Sequence, residues 1–288
     1  MNKQQSVMLA VTGVLLAAGS QAQAQITYNN EDLLLDFRNA TVTTDPNVTV
    51  DLGNVNSFVS TVAALPGGTA VLDTGSGYTA TLSSGFSYSG LTSVLGAPAS
   101  GNVIGFSAAA ADSASSTLWL TRTQSGLTPP AHVSQRQSAT FQGETATAIG
   151  NIGAEAAGAV SDTLQLSGSG ANAVSYPSGD SYSYQTQGQG PGTPGVINYG
   201  GSQNTGANFG GVLESAVDGS ANVYEALWEV PVSGTGGSDT YEGYFTFQPD
   251  GEVDFTTTAV PEPSTYVLLG VTGVLALAFR RQIRRLIA

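Results

Sequence analysis

The side chains with which this chain could do chemistry are mostly carboxylates. Asp73-Thr74-Gly75-Ser76 follows the apolar run Ala70-Val71-Leu72, a strand-to-turn pattern that would hold one carboxyl at a loop tip. Two such aspartates can share one proton and activate water, because two close like charges do not both ionise. The only partner candidate, Asp218-Gly219-Ser220, has the wrong residue order, so a catalytic pair would need a second copy of the chain. Gly179-Asp180-Ser181 offers a serine, but a serine nucleophile needs a base, and the single histidine, His132, lies upstream of it. Glu252-Val253-Asp254-Phe255 sets two acids on one strand face, with Thr256-Thr257-Thr258 where a further acid would be needed. Glu225 and Glu229 share a strand face at roughly 13 Å, too far apart for paired-carboxylate hydrolysis. For binding rather than catalysis, Trp119 faces away from Leu118 and Leu120, and an exposed aromatic of this kind, in a chain with 11 Tyr, could stack on sugar rings.

The elements that must position these residues read mainly as strand. Leu33–Phe37, Val48–Leu52, Asn102–Ser107, Ser116–Arg122, Asn222–Val230, Tyr241–Phe247 and Gly251–Thr257 are short runs of β-branched and aromatic residues punctuated by Gly, Pro, Asn and Asp. Gln248-Pro249-Asp250-Gly251 supplies a turn between the last two, with Pro presetting φ and Gly taking the left-handed position. Ser134–Ala157 is rich in Ala, Gln and Glu, and Phe141, Thr145, Ala148 and Ile152 fall at helical spacing. Gly143, Gly150 and Gly153 each cost about 1 kcal/mol against Ala, so the expected helix is short or broken. Nine of the 24 residues from Gly188 to Gly211 are Gly, which reads as a loop or insertion. The expected fold is mainly β: an antiparallel, sandwich-like or irregular domain with one short helix.

Composition excludes several functions. There is no Cys and one His in 288 residues, so disulfides, Cys-ligated zinc, iron–sulfur clusters and multi-His metal centres are ruled out. No local calcium loop is present, and neither a metal nor a cofactor is expected. The net charge of −13 argues against nucleic acid as a partner. Between Gln25 and Ala259 only Arg38, Arg122 and Arg136 are basic.

The two ends differ from the rest. Residues 1–24 read as a secretory signal: Lys3, an apolar stretch from Val7 to Ala18, then Ala22-Gln23-Ala24 with small residues where signal peptidase inspects the chain. Residues 25–259 form the expected ectodomain. Residues 260–288 begin Val260-Pro261-Glu262-Pro263-Ser264-Thr265, continue with the apolar run Tyr266–Phe279, and close with Arg280, Arg281, Arg284 and Arg285. Two prolines block helix upstream, and the arginines resist translocation. Fourteen helical residues rise about 21 Å against a hydrocarbon core near 30 Å, so the expected membrane helix relies on arginine stems reaching back to the lipid interface.

This ordered triplet resembles the PEP-CTERM sorting signal of Gram-negative bacteria. The resemblance implies recognition by exosortase, a membrane-embedded cysteine transpeptidase, and cutting near Pro261-Glu262-Pro263 on the way to the cell surface or matrix. Leu33–Arg38, Ser116–Arg122 and the closing hairpin also resemble ectodomains of other PEP-CTERM proteins, which imply no activity. Asp73-Thr74-Gly75-Ser76 resembles the active-site loop of aspartic proteases, Gly179-Asp180-Ser181 the nucleophile motif of GDS esterases, and Glu252–Phe255 part of a glycosidase catalytic strand; each lacks its family's partner residue. The expectation is therefore an exported, non-catalytic structural or adhesive protein. Its precursor is anchored in the inner membrane through the C-terminal helix and its lipid contacts, and the mature form lies at the cell surface or outside. Its partners are signal peptidase, exosortase and, in the matrix, exopolysaccharide. The alternatives are a secreted hydrolase acting through Asp73 and a glycan-binding module.

Overall fold

The computed structural model describes residues 28–72, 88–98, 101–128, 139–158, 173–188, 213–231, 239–249 and 251–257. The chain enters β1 (Asp32–Asn39), then β2 (Asn47–Asn54), from the alternating runs expected there. Every residue of β1 is buried, because both faces of the sheet are covered at this strand: Leu33, Leu35 and Phe37 join one apolar cluster, Leu34 another. Asn54 ends β2 and caps α1 (Val55–Ala63), its side-chain oxygen accepting the Ser57 N–H at 3.1 Å.

A 3-10 turn at Pro66–Gly68 leads to β3 (Thr69–Val71), and α2 (Tyr88–Leu95) precedes β4 (Ile104–Asp112) and β5 (Thr117–Gln124). Then come α3 (Ala139–Gly158), β6 (Ala173–Tyr176), α4 (Tyr184–Gly188), β7 (Ser215–Val217), β8 (Val223–Val230), β9 (Thr240–Phe247) and β10 (Val253–Thr257). The strands form one antiparallel sheet in the order β3-β10-β9-β8-β5-β4-β1-β2-β6. β7 lies off this path on β4. β4 is forked: Ile104–Phe106 pairs with β7, and Ala109–Asp112 pairs with β5.

The sheet curls upon itself. β1 and β9 are four strand steps apart, roughly 19 Å along a flat sheet. Yet the rings of Phe37 and Phe247 are 6.1 Å apart, with Phe106 filling the angle between them at 6.2 and 5.6 Å. α1 packs on β2 near one end of the strand order and on β10 and β3 at the other, so it closes the seam. Its Phe58 ring lies 5.0 Å from Phe255 and 6.4 Å from Phe245. The inner face is thus an aromatic core plugged by a helix, and the expected antiparallel domain, sandwich-like or irregular, takes the form of one curled sheet.

The outer face is covered over half its width. α3 lays Ala148, Ile149 and Ile152 against Leu34, Ala109, Leu118 and Leu120. The expectation of one short or broken helix is corrected: α3 runs unbroken for 20 residues, and three further helices accompany it among the described residues. Burial of its apolar stripe outweighs the cost of its glycines. One of those glycines is itself a packing residue, because a Cβ on Gly153 would collide with the ring of Tyr28.

The expected hairpin is present: Val253–Thr257 pairs with Gly243–Phe247, Gly251 N–H donates to Gln248 O at 2.9 Å, and Gly251 has φ +95°. Among the described residues no helix is long and apolar enough to cross a membrane. The signal segment and the C-terminal helix lie outside the described residues.

Candidate functional site

Among the described residues the catalytic candidates do not form one site. Asp73 and His132 lie outside the described residues; the strand before Asp73 is β3, where Leu72 N–H donates to Val253 O at 2.8 Å. Asp180 and Ser181 sit on a turn before α4, with Ser183 N–H on Asp180 O at 3.1 Å and Gln187 Nε2 on Ser181 O at 2.6 Å. Glu252 and Asp254 both accept from Gln248 Nε2, at 2.7 and 3.1 Å, at the turn end of the last hairpin. Glu225 is fully buried whereas Glu229 is half-buried. Trp119 lies in the inner core at 4% exposure, which corrects the idea of a stacking platform there: its alternation away from Leu118 points it inward. Among the described residues no three His, Cys, Asp or Glu side chains are grouped to hold a metal.

What the fold does assemble is a polar chamber under α4, on the outer face of β4, β1, β2 and β6. The Arg38 guanidinium meets the Glu214 carboxylate through Nε–Oε1 and Nη2–Oε2, both 2.7 Å. Its Nη1 donates to Gln185 Oε1 at 2.9 Å. Tyr184 donates its hydroxyl to Glu214 Oε1 at 3.1 Å and lies 2.6 Å from Ser107 Oγ. On the next row the Thr49 hydroxyl donates to Asp36 and contacts Tyr176 at 2.7 Å. Space for Glu214 comes from Gly105, where a Cβ would stand 2.5 Å from its Oε1.

Burial disfavours the Arg38 charge, but the bonds from Glu214 more than compensate and raise its pKa. Burial pushes the Asp36 carboxyl up to about 7, against the Thr49 bond and with the nearby Glu214 charge adding to the rise. Arg38, Asp36, Tyr184 and Glu214 are all buried. Reading the sequence alone did not single out Arg38 or Glu214; a lone arginine ending the apolar run Leu33–Phe37 was the available signal.

The rest of the outer face carries aromatic pairs. Tyr224 and Tyr244, on neighbouring strands, stand edge to face at 6.1 Å, and Tyr241 packs on Trp228 at 5.1 Å. Cross-strand pairing places Arg122, Thr246, Asp254 and Thr256 around the first pair. Both tyrosines of that pair are half-buried.

β10 ends at Thr257, and a match to a family model begins two residues later. Residues 259–285 match the PEP-CTERM protein-sorting motif. The chain ends in a PEP-CTERM sorting signal. Val260, Pro261, Glu262, Pro263 and the four tail arginines Arg280, Arg281, Arg284 and Arg285 lie in or beside that match and outside the described residues, as do Ala22 and Ala24. No curated protein and no solved structure matches the chain. The PEP-CTERM signal marks an exported protein, made as a membrane-anchored precursor and sorted to the cell surface by exosortase. The ectodomain hung on this signal is mainly β.

Proposed function

We propose that the PEP-CTERM signal delivers a non-catalytic structural or adhesive ectodomain that associates with matrix polysaccharide. Signal peptidase removes residues 1–24 after Ala24, and exosortase cuts near Val260–Pro263, freeing the ectodomain from its lipid-embedded tail. The observation that carries this reading is the Tyr224–Tyr244 pair, with hydroxyl, carboxylate and guanidinium side chains at neighbouring positions on the sheet. Tyrosine faces offer apolar surface to the C–H side of a sugar ring, and the flanking groups match its hydroxyls.

The test is co-sedimentation of the exported protein with polysaccharide from its own host. Tyr224→Ala with Tyr244→Ala is expected to weaken retention about tenfold, the loss of two ring contacts, without shifting the unfolding midpoint of the core. Unchanged retention removes polysaccharide from the reading. A peptidase activity that disappears in Asp73→Asn replaces it with the hydrolase.

A further inference from the structure

The fork in β4 contains a carboxyl that nothing above uses. Glu225, on β8, is fully buried, and the only polar groups beside its carboxyl oxygens, the Thr121 and Ser215 hydroxyls and the Ser215 N–H, reach neither oxygen in good hydrogen-bond geometry. The hydroxyls of Thr121 and Ser215 adjoin it, but both are committed elsewhere. Thr121 Oγ1 donates toward Ala108 O at 3.2 Å and Leu213 O at 3.1 Å and accepts the Ala108 N–H at 2.9 Å. Ser215 Oγ donates to Thr123 Oγ1 at 3.2 Å. Burial holds the Glu225 carboxyl well above the usual carboxylate range; the two hydroxyls and the Ser215 N–H lower it only in part, and Glu214 raises it further.

The charged groups around it offer no relief. From the β7 side Glu214 presents a second carboxylate. Arg38, on β1, is already held by both oxygens of Glu214. Arg122, on β5, alternates to the opposite face of the sheet from Thr121, and Phe245 of β9, directly across from Glu225, is apolar. β4 contributes Phe106 and Ala108. The described basic residues are Arg38 and Arg122, so no described cation faces Glu225 in this fork.

We propose that Glu225 is a proton-operated latch: when it loses its proton, β7 leaves β4 and opens the fork while the rest of the sheet stays folded. The ladders differ in strength. β7 is three residues long and pairs with β4 at three positions, whereas β5 and β8 pair along seven. Releasing Ser215–Val217 therefore admits water to Glu225 for the loss of the shortest ladder beside it. Glu214, anchored by Arg38, stays behind as the hinge. The released state bares the Ile104–Phe106 edge of β4, an unpaired strand edge able to take another strand.

Hydrogen exchange of the full chain, followed segment by segment by mass spectrometry, tests this. Base catalysis of exchange accelerates all amides alike, so the rate at 215–217 is read against that at Phe245–Phe247 at each pH. The ratio is expected to rise at least about tenfold between about pH 5 and pH 9, one unit of free proton release being a factor of ten. Glu225→Gln, which keeps the shape and removes the charge, is expected to hold the ratio flat, and Asp36→Asn to leave the rise in place. A constant ratio in the natural sequence, or simultaneous loss of protection at 215–217 and 245–247, overturns the latch whether or not Glu225→Gln folds.

Discussion

Arg38 and Glu214 are 176 residues apart in sequence and joined by two hydrogen bonds of 2.7 Å directly over Gly105. This ion pair ties β1 to the segment entering β7, and the absent side chain of Gly105 makes the contact possible. Removing one partner leaves a buried charge uncompensated, whereas replacing both with apolar groups of similar volume does not.

Glu214→Gln and Arg38→Met are each expected to lower unfolding stability by about 3–5 kcal/mol, and Arg38→Met with Glu214→Leu to recover most of that loss. Gly105→Ala pushes a methyl against the Glu214 carboxylate and is expected to cost about 1–3 kcal/mol. Urea unfolding followed by tyrosine and tryptophan fluorescence measures all four. A double variant as destabilised as the single ones would overturn this account of the pair.

The interior holds more acid than base, and this sets the pH dependence. Burial raises Asp36 from 3.8 to about 7, and burial with the neighbouring Asp32 charge raises Asp51 to about 6 despite the Gly53 N–H bond. A group whose folded pKa is raised binds its proton more tightly when folded, so its stabilisation is complete below the unfolded value and is lost as pH rises through the folded value. Asp112 and Asp218 are lowered by their serine bonds, the opposite sign, but both are at the surface. Thermal melting is therefore expected at progressively lower temperature from about pH 4 to pH 7. Asp36→Asn should flatten that slope; a melting temperature that climbs over this range contradicts the assignment.

Two glycines three residues apart in α3 are expected to respond with opposite sign. Gly150 has open space around the position of a Cβ, so Gly150→Ala should stabilise the protein by about 1 kcal/mol through helix propensity. Gly153 backs onto the Tyr28 ring, so Gly153→Ala should destabilise it by about 1–3 kcal/mol through displacement of that ring. Denaturant midpoints of the two variants decide this directly, and a gain at both positions would mean that Tyr28 moves aside freely.

Processing at the C-terminus has a direct readout. In a host with an intact exosortase, mass spectrometry of the exported protein is expected to find a mature form ending near Val260–Pro263 and lacking Arg280, Arg281, Arg284 and Arg285. Replacing Pro261-Glu262-Pro263 with three alanines should leave the tail attached and the protein in the membrane fraction. A mature form that retains Phe279 makes the tail a permanent anchor.

The sequence by itself determined the parts whose information is local. The sorting signal is a contiguous order of breaker, apolar run and arginines, and it was legible without any fold. The seven longer strands were legible as runs of apolar, β-branched and aromatic residues between turn residues, and Gly251 marked the hairpin because its left-handed φ requires glycine. The tertiary structure alone decided the rest. β6 and β7 are four and three residues long, too short to carry a periodic signal, and exist because neighbouring strands supply their hydrogen bonds. α3 stays whole because its apolar stripe lies on Leu34, Leu118 and Leu120, a gain that no sum of glycine propensities contains. The closure of one sheet, the burial of Trp119 and the meeting of Arg38 with Glu214 depend on strands far apart in the chain becoming neighbours. Pairing at that range is set by the packing of the whole core, and no short window of residues encodes it.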